Sequence, residues 1–245
     1  MISSSLRGKN WLFTLIVLLL FASASYADST QLTLTSVGNA TVVGNVYVDP
    51  YVATVGTGST AVSTYAICDD WSDNSYVNAS WNATIGGITS AGLTGTPLFG
   101  NGLSSTQQQT LYSEVAYLAT MLLTNNPNPT QQAGISFAIW NLTYPYGTNK
   151  DGTAPSTFLN TYGTAAQIAA YNAANAALAN AINTNSLGGS YSFEILTPSP
   201  LGTNEPQEFL VRAPESSAAV MLGADLFGLL GLVFVFRRRL LRQIQ

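Results

Sequence analysis

The hydrophobic pattern changes period near residue 100, so one kind of regular element cannot serve the whole chain. From Thr30 to Ile85 the sequence runs as short β-prone segments, QLTLTSV, ATVVGNVYV, YVATVG, AVSTYAIC and YVNASWNATI, parted by Gly, Asn, Asp and Pro. Leu32 and Leu34 alternate with threonines, and Val46 and Val48 stand opposite Asn45 and Tyr47, the period-two pattern of strands with one buried face. After the Gly- and Thr-rich connector GGITSAGLTGTPLFGNG, residues Ser105 to Leu123 place Leu111, Val115, Leu118 and Leu122 at spacings of four, three and four. That is one face of an amphipathic helix, which Ser104 or Ser105 can cap. NNPNPT breaks it, since proline removes backbone donors and asparagine favours turns.

A second helix is expected from about Gln131 to Leu142, with Ile135 or Ser136 and Trp140 along it, and an Ala-rich third from Ala165 to Asn183. Ile168, Tyr171, Leu178 and Ile182 fall on one side of the third. SYSFEIL and QEFLVR read as late strands returning to the sheet. The pattern implies an α+β domain over residues 28–213, an antiparallel sheet or sandwich-like β half packed with about three helices.

Both ends of the chain carry targeting patterns. Arg7 and Lys9 precede an eleven-residue apolar run, Trp11 to Phe21, and then the small-residue stretch ASASYA. A bilayer-spanning helix needs about 20 apolar residues, so residues 1–27 read as a cleavable signal peptide and the body as exported. Export bears on the single cysteine, Cys68, which has no partner for an intramolecular disulfide. The body therefore folds on core packing alone.

At the other end, Ala218 to Phe236 form a nineteen-residue, mostly apolar stretch interrupted by Asp225 and followed at once by Arg237, Arg238, Arg239 and Arg242. The expectation is a transmembrane helix over 218–236 with its basic end cytoplasmic and the body outside. Pro214 and Glu215, a short small-residue spacer, the Gly-interrupted apolar helix and the arginine cluster together resemble the PEP-CTERM sorting signal. Here Ser216 stands where that motif has its second proline. The resemblance implies a sorting tail over 214–245, with Pro214, Glu215, Arg237, Arg238 and Arg239 as its signal residues. It also implies membrane anchoring before processing by an exosortase-like enzyme, then release to the cell surface or extracellular matrix of a biofilm-forming bacterium.

Charge and residue content narrow the chemistry. Between Asp28 and Ala213 the only basic residues are Lys150 and Arg212, against ten acids, so the body cannot neutralise phosphates and nucleic acid is excluded as a partner. Histidine is absent, which removes His-based triads and the commonest ligand of zinc and copper. No Gly-rich phosphate loop links a strand to a helix, and no cofactor is implied. In CDDWSDN, Asp70, Ser72 and Asn74 take the first, third and fifth places of a calcium loop, but Ser75 replaces its glycine and Trp81 its bidentate glutamate. A solvated turn accounts for them as well. Two of Asp69, Asp70, Asp73 and Glu114 could supply the carboxylate pair of a secreted carbohydrate-active hydrolase.

YAICDDW and GISFAIWNLTY, over about residues 60 to 145, resemble the thioester domains of surface adhesins, where a strand ending in Cys-x-Asp precedes a helix carrying an AIW signature. In that pattern a glutamine four residues before the tryptophan joins the cysteine in a thioester. Ser136 occupies the place here, and Gln131 and Gln132 lie about two turns away. The resemblance implies the scaffold without its glutamine, with Ala138, Ile139 and Trp140 in the core and Cys68 a buried or reactive thiol. The expected function is a non-enzymatic surface or matrix protein associated with exopolysaccharide, its Ser, Thr, Asn, Tyr and Trp suited to carbohydrate contacts. The alternatives are an adhesin reacting through Cys68 and the hydrolase.

Overall fold

The computed structural model of the chain describes residues 29–89, 92–100, 102–124, 127–147, 152–187, 192–200 and 206–213. The expected signal peptide over 1–27, sorting tail over 214–245 and membrane helix over 218–236 lie outside these residues. Among the described residues no helix is long and apolar enough to cross a membrane.

The strands are β1 (Ser29–Val37), β2 (Val42–Val43), β3 (Val46–Tyr47), β4 (Tyr51–Val55), β5 (Val62–Cys68), β6 (Ser80–Thr89), β7 (Gly92–Thr94), β8 (Phe193–Pro198) and β9 (Phe209–Arg212). The helices are α1 (Ser105–Thr124), α2 (Pro129–Thr143), α3 (Pro155–Tyr162) and α4 (Ala165–Asn183). The class is α+β, as expected, but the sheet closes on itself rather than splitting into a sandwich. Its order is β1-β4-β5-β9-β8-β6, β6 pairs back onto β1, and every contact is antiparallel. Ring closure removes the open edges that a flat sheet would present. β7 extends β6 beyond its pairing with β1, and β2 and β3 form a separate hairpin.

Directly paired residues share a face, so the register divides the ring into inside and outside. Leu32, Ala53, Ala66, Ala83 and Phe209 fall on one face and fill the interior, where Phe209 packs edge-on against Tyr51 at 5.6 Å. On the opposite face Ile67, Leu210 and Ile195 lie side by side and are also buried, because the helices cover that wall. Along β1, far from the helices, Thr35 and Ser36 stay exposed.

α2 is the helix at the centre. It is buried continuously from Gln132 to Trp140, so it is not the amphipathic helix its neighbours are. Its start is fixed by the same NNPNPT run that stops α1: Asn128 accepts from the Gln131 N–H, the Gln131 side chain accepts from the Asn128 N–H, and Pro129 takes the first turn. α1 begins with a similar exchange between Ser104 and Gln107 and buries the expected Leu111, Val115, Leu118 and Leu122.

α4 keeps the expected stripe at Leu178, which is buried, and at Ile168 and Tyr171, which pack against the core, and corrects it at Ile182. Its buried residues are Ala174, Leu178 and Ala181, while Ile182 is exposed. Small residues face α2 because the two helices nearly touch: a Cβ on Gly134 would lie 2.5 Å from the backbone at Ala170 and Tyr171. The fourth helix, α3, and the short strand β7 were not expected from the sequence.

Candidate functional site

Period two at the end of β5 sends consecutive side chains to opposite places. Cys68 continues the inner face, Asp69 turns out beneath the helices, and Asp70 returns to the side of Cys68. α2 holds this turn through its last exposed-to-buried rows: the Trp140 indole N–H donates to the Cys68 carbonyl at 2.9 Å and the Thr143 hydroxyl donates to the Asp69 carbonyl. The two sequence landmarks, YAICDDW and AIW, meet here.

Asp69 and Glu208 form a buried carboxyl pair outside the ring. Glu208, just before β9, accepts from the Tyr112 hydroxyl of α1, the Thr197 hydroxyl of β8 and the Leu98 N–H at 2.7 Å. Asp69 has no donor for either oxygen. Burial, then the Glu208 charge, hold the Asp69 carboxyl well above the usual range, and burial raises Glu208 despite its donors. A proton on Asp69 turns the repulsion into a hydrogen bond to Glu208. Through the donors to Glu208 the pair ties α1, β8 and β9 together.

On the inner side an open cleft of about 650 Å³ lies at the mouth of the ring. Its floor includes Tyr51, Cys68 and Trp140, one wall is the β2–β3 hairpin with Tyr47, and another is the loop carrying Asp70, Trp71, Asp73 and Tyr76. Gly44 makes the hairpin turn at φ +59, and its lack of a side chain admits the Phe158 ring, which a Cβ would meet at 2.8 Å. Trp71 is fixed by its N–H bond to the Thr153 carbonyl at 2.8 Å and by ring contacts with Trp140 and Phe158, both at 5.2 Å. Tyr47 and Tyr76 are 43% and 71% exposed, so the rim presents unpaired aromatic faces.

Asp70 is the buried acid of the cleft. Its Oδ1 accepts from the Ser72 N–H at 2.8 Å, while Oδ2 is buried with no partner. Burial, reinforced by the charges of Asp73 and Glu208, pushes its pKa up to about 7. The carbonyl of Asp70 accepts from both the Cys68 thiol, at 3.1 Å, and the Gln207 amide, at 2.7 Å.

The other sequence candidates fall as follows. Cys68 is a buried free thiol, and burial raises its pKa, so the thiolate is disfavoured. Ser136 donates to the Val48 carbonyl at 2.6 Å, Gln131 caps its helix, and the Gln132 Oε1 accepts from Asn39 at 3.1 Å. Neither glutamine faces the thiol. The Asp70 carboxyl and the Ser72 N–H form an Asx turn in place of a calcium loop, and no group of three or more acidic or cysteine side chains among the described residues could hold a metal. Of the four acids considered for hydrolysis, Asp70 and Asp73 share the cleft, Asp69 lies on the opposite side of the strand and Glu114 sits on α1 outside the cleft wall. Pro214, Glu215, Arg237, Arg238 and Arg239 lie outside the described residues. Sequence reasoning missed Tyr47, Tyr76 and Gln207 as cleft residues, although Tyr47 breaking the polar face of its strand was a visible signal. Compared with known proteins, the chain matches no protein-family model, no curated protein and no solved structure.

Proposed function

We propose that this chain is a non-enzymatic exported protein of the cell surface or extracellular matrix whose cleft binds polysaccharide. The aromatic-rimmed cleft carries the reading. Tyr47 and Tyr76 leave much of their surface exposed, and an aromatic face above a polar wall suits the apolar face and hydroxyls of a sugar ring. The signal-peptide and PEP-CTERM-like patterns in the sequence supply the route: export, anchoring by the tail, and processing by an exosortase-like enzyme. Retention of the body on exopolysaccharide from the producing cells, lost in Tyr47→Ala/Tyr76→Ala, is the expected result. Retention equal to that of an unrelated acidic protein overturns it.

The shared placement of Asp70 and Asp73 favours one second reading, a carbohydrate-active hydrolase in which Asp70 keeps its proton to near neutral pH and acts as the acid. Release of reducing ends from the same polysaccharide, abolished in Asp70→Asn and in Asp73→Asn, would establish it.

A further inference from the structure

Resting on the polysaccharide reading, the geometry points to a specific class of sugar: we propose that the cleft selects saccharides bearing a free ammonium group, an amino-sugar polymer with unacetylated amines, over neutral or acidic ones.

The cleft has the three parts needed to recognise a cation on a sugar. Asp70 supplies a carboxyl group that is 1% exposed and whose Oδ2 no protein donor satisfies. An unsatisfied buried acceptor is costly, so a donor brought by a ligand recovers energy that the free protein forgoes. Asp73 adds a second acid on the same wall. Trp71, Tyr47 and Tyr76 surround them with ring faces, which attract cations as well as sugar C–H groups.

Among the described residues the wall carries no complementary charge. None of the described cleft residues is basic, and Arg212, the single basic residue among the described residues, lines a separate groove with Val55 and Val62. Lys150 is followed directly by Asp151, so that dipeptide carries no net charge. A uronate or sulfated chain would bring its anions against Asp70 and Asp73, with no cation among the described lining residues to meet them. A neutral N-acetylated chain could stack but would leave the carboxylate without a charged donor. An ammonium satisfies Oδ2 with a charge-assisted hydrogen bond.

Binding calorimetry on the folded body, run near pH 7 where Asp70 can give up its proton while the amine still holds one, tests this with three probes of equal length: a glucosamine hexamer, the fully N-acetylated hexamer and a hexamer of uronic acid. The expected result is glucosamine hexamer binding about 10-fold or more tighter than its acetylated form, the worth of one charge-assisted hydrogen bond, with no binding of the uronate. Asp70→Asn, which keeps the acceptor for the Ser72 N–H, should bring the first two affinities together while binding to the acetylated hexamer persists. Equal or tighter binding of the acetylated hexamer or of the uronate overturns the proposal and leaves the polysaccharide reading standing. A preference that survives Asp70→Asn, or equal binding of an oligolysine, overturns it as bulk charge attraction. Failure of all three sugars to bind overturns both readings together.

Discussion

The Trp140 indole N–H donates to the carbonyl of Cys68 at 2.9 Å, fastening the buried helix α2 to the last residue of β5. The same indole packs against Trp71 and, edge-on, against Phe137 at 5.0 Å, so it forms both the floor of the cleft and part of the core. Trp140→Phe removes the donor and some ring volume, and should lower unfolding free energy by about 2–4 kcal/mol in urea titration. It should also weaken any ligand of the cleft, because Trp71 loses its backing.

Gly134 permits the close crossing of α2 over α4. Alanine would improve helix propensity by about 1 kcal/mol, but its Cβ would meet backbone atoms, which cannot rotate aside. The clash wins: Gly134→Ala should cost about 2 kcal/mol or more, read as a lowered denaturation midpoint at unchanged slope.

Tyr112 links α1 to the buried carboxyl pair, donating to Glu208 while accepting from the Phe99 N–H at 3.1 Å. Tyr112→Phe leaves one donor and one acceptor without that partner. Equilibrium unfolding should show a loss of about 1–3 kcal/mol, larger at pH values where Glu208 is charged.

Asp69, Asp70 and Glu208 all have folded pKa values raised above those of the unfolded chain, chiefly by burial. The folded state therefore binds more protons, and their contribution to stability is fully present below the unfolded carboxylate range and lost as pH rises through the folded values. For Asp70 the loss runs from about pH 4 to about pH 7 and amounts to a few kcal/mol on the order-of-magnitude scale of such shifts. Thermal melts should show Tm falling across that window, and Asp70→Asn should flatten the fall. A Tm that climbs steadily from pH 4 to about 8 contradicts the assignment.

Cys68 should react slowly. Its thiol is buried, bonded to the Asp70 carbonyl and raised in pKa, so native protein at about pH 8 should take up a thiol reagent far more slowly than urea-unfolded protein. Intact mass should equal the sum of the residues, with no ammonia lost. A mass deficit of one ammonia, restored by methylamine, would revive the thioester.

Legibility in the sequence followed the range of the interactions. Leu111, Val115, Leu118 and Leu122 announced α1 because a single helix face carries the whole signal. On α4 the same logic picked Ile182 and overlooked Ala181, since a rule keyed to large side chains misses an interface that needs small ones. α3 begins at a proline and has only Phe158 and Leu159 as large apolar residues, too few for a period to show. The acidic run after Cys68 was visible as a candidate, and its division was not. That Asp69 meets Glu208 while Asp70 shares a cleft with Tyr47 depends on strand pairing across most of the chain, which no local pattern encodes.

The ring closes through β9, which enters between β5 and β8 and pairs Phe209 with both Cys68 and Leu196. A chain synthesised from its N-terminus has every other strand of the ring made before this one. Until Arg212 arrives, β5 and β8 remain open edges, and an open edge recruits other strands. Closure of the ring thus waits on its last strand, and a chain cut before residue 209 should aggregate rather than leave a smaller folded body.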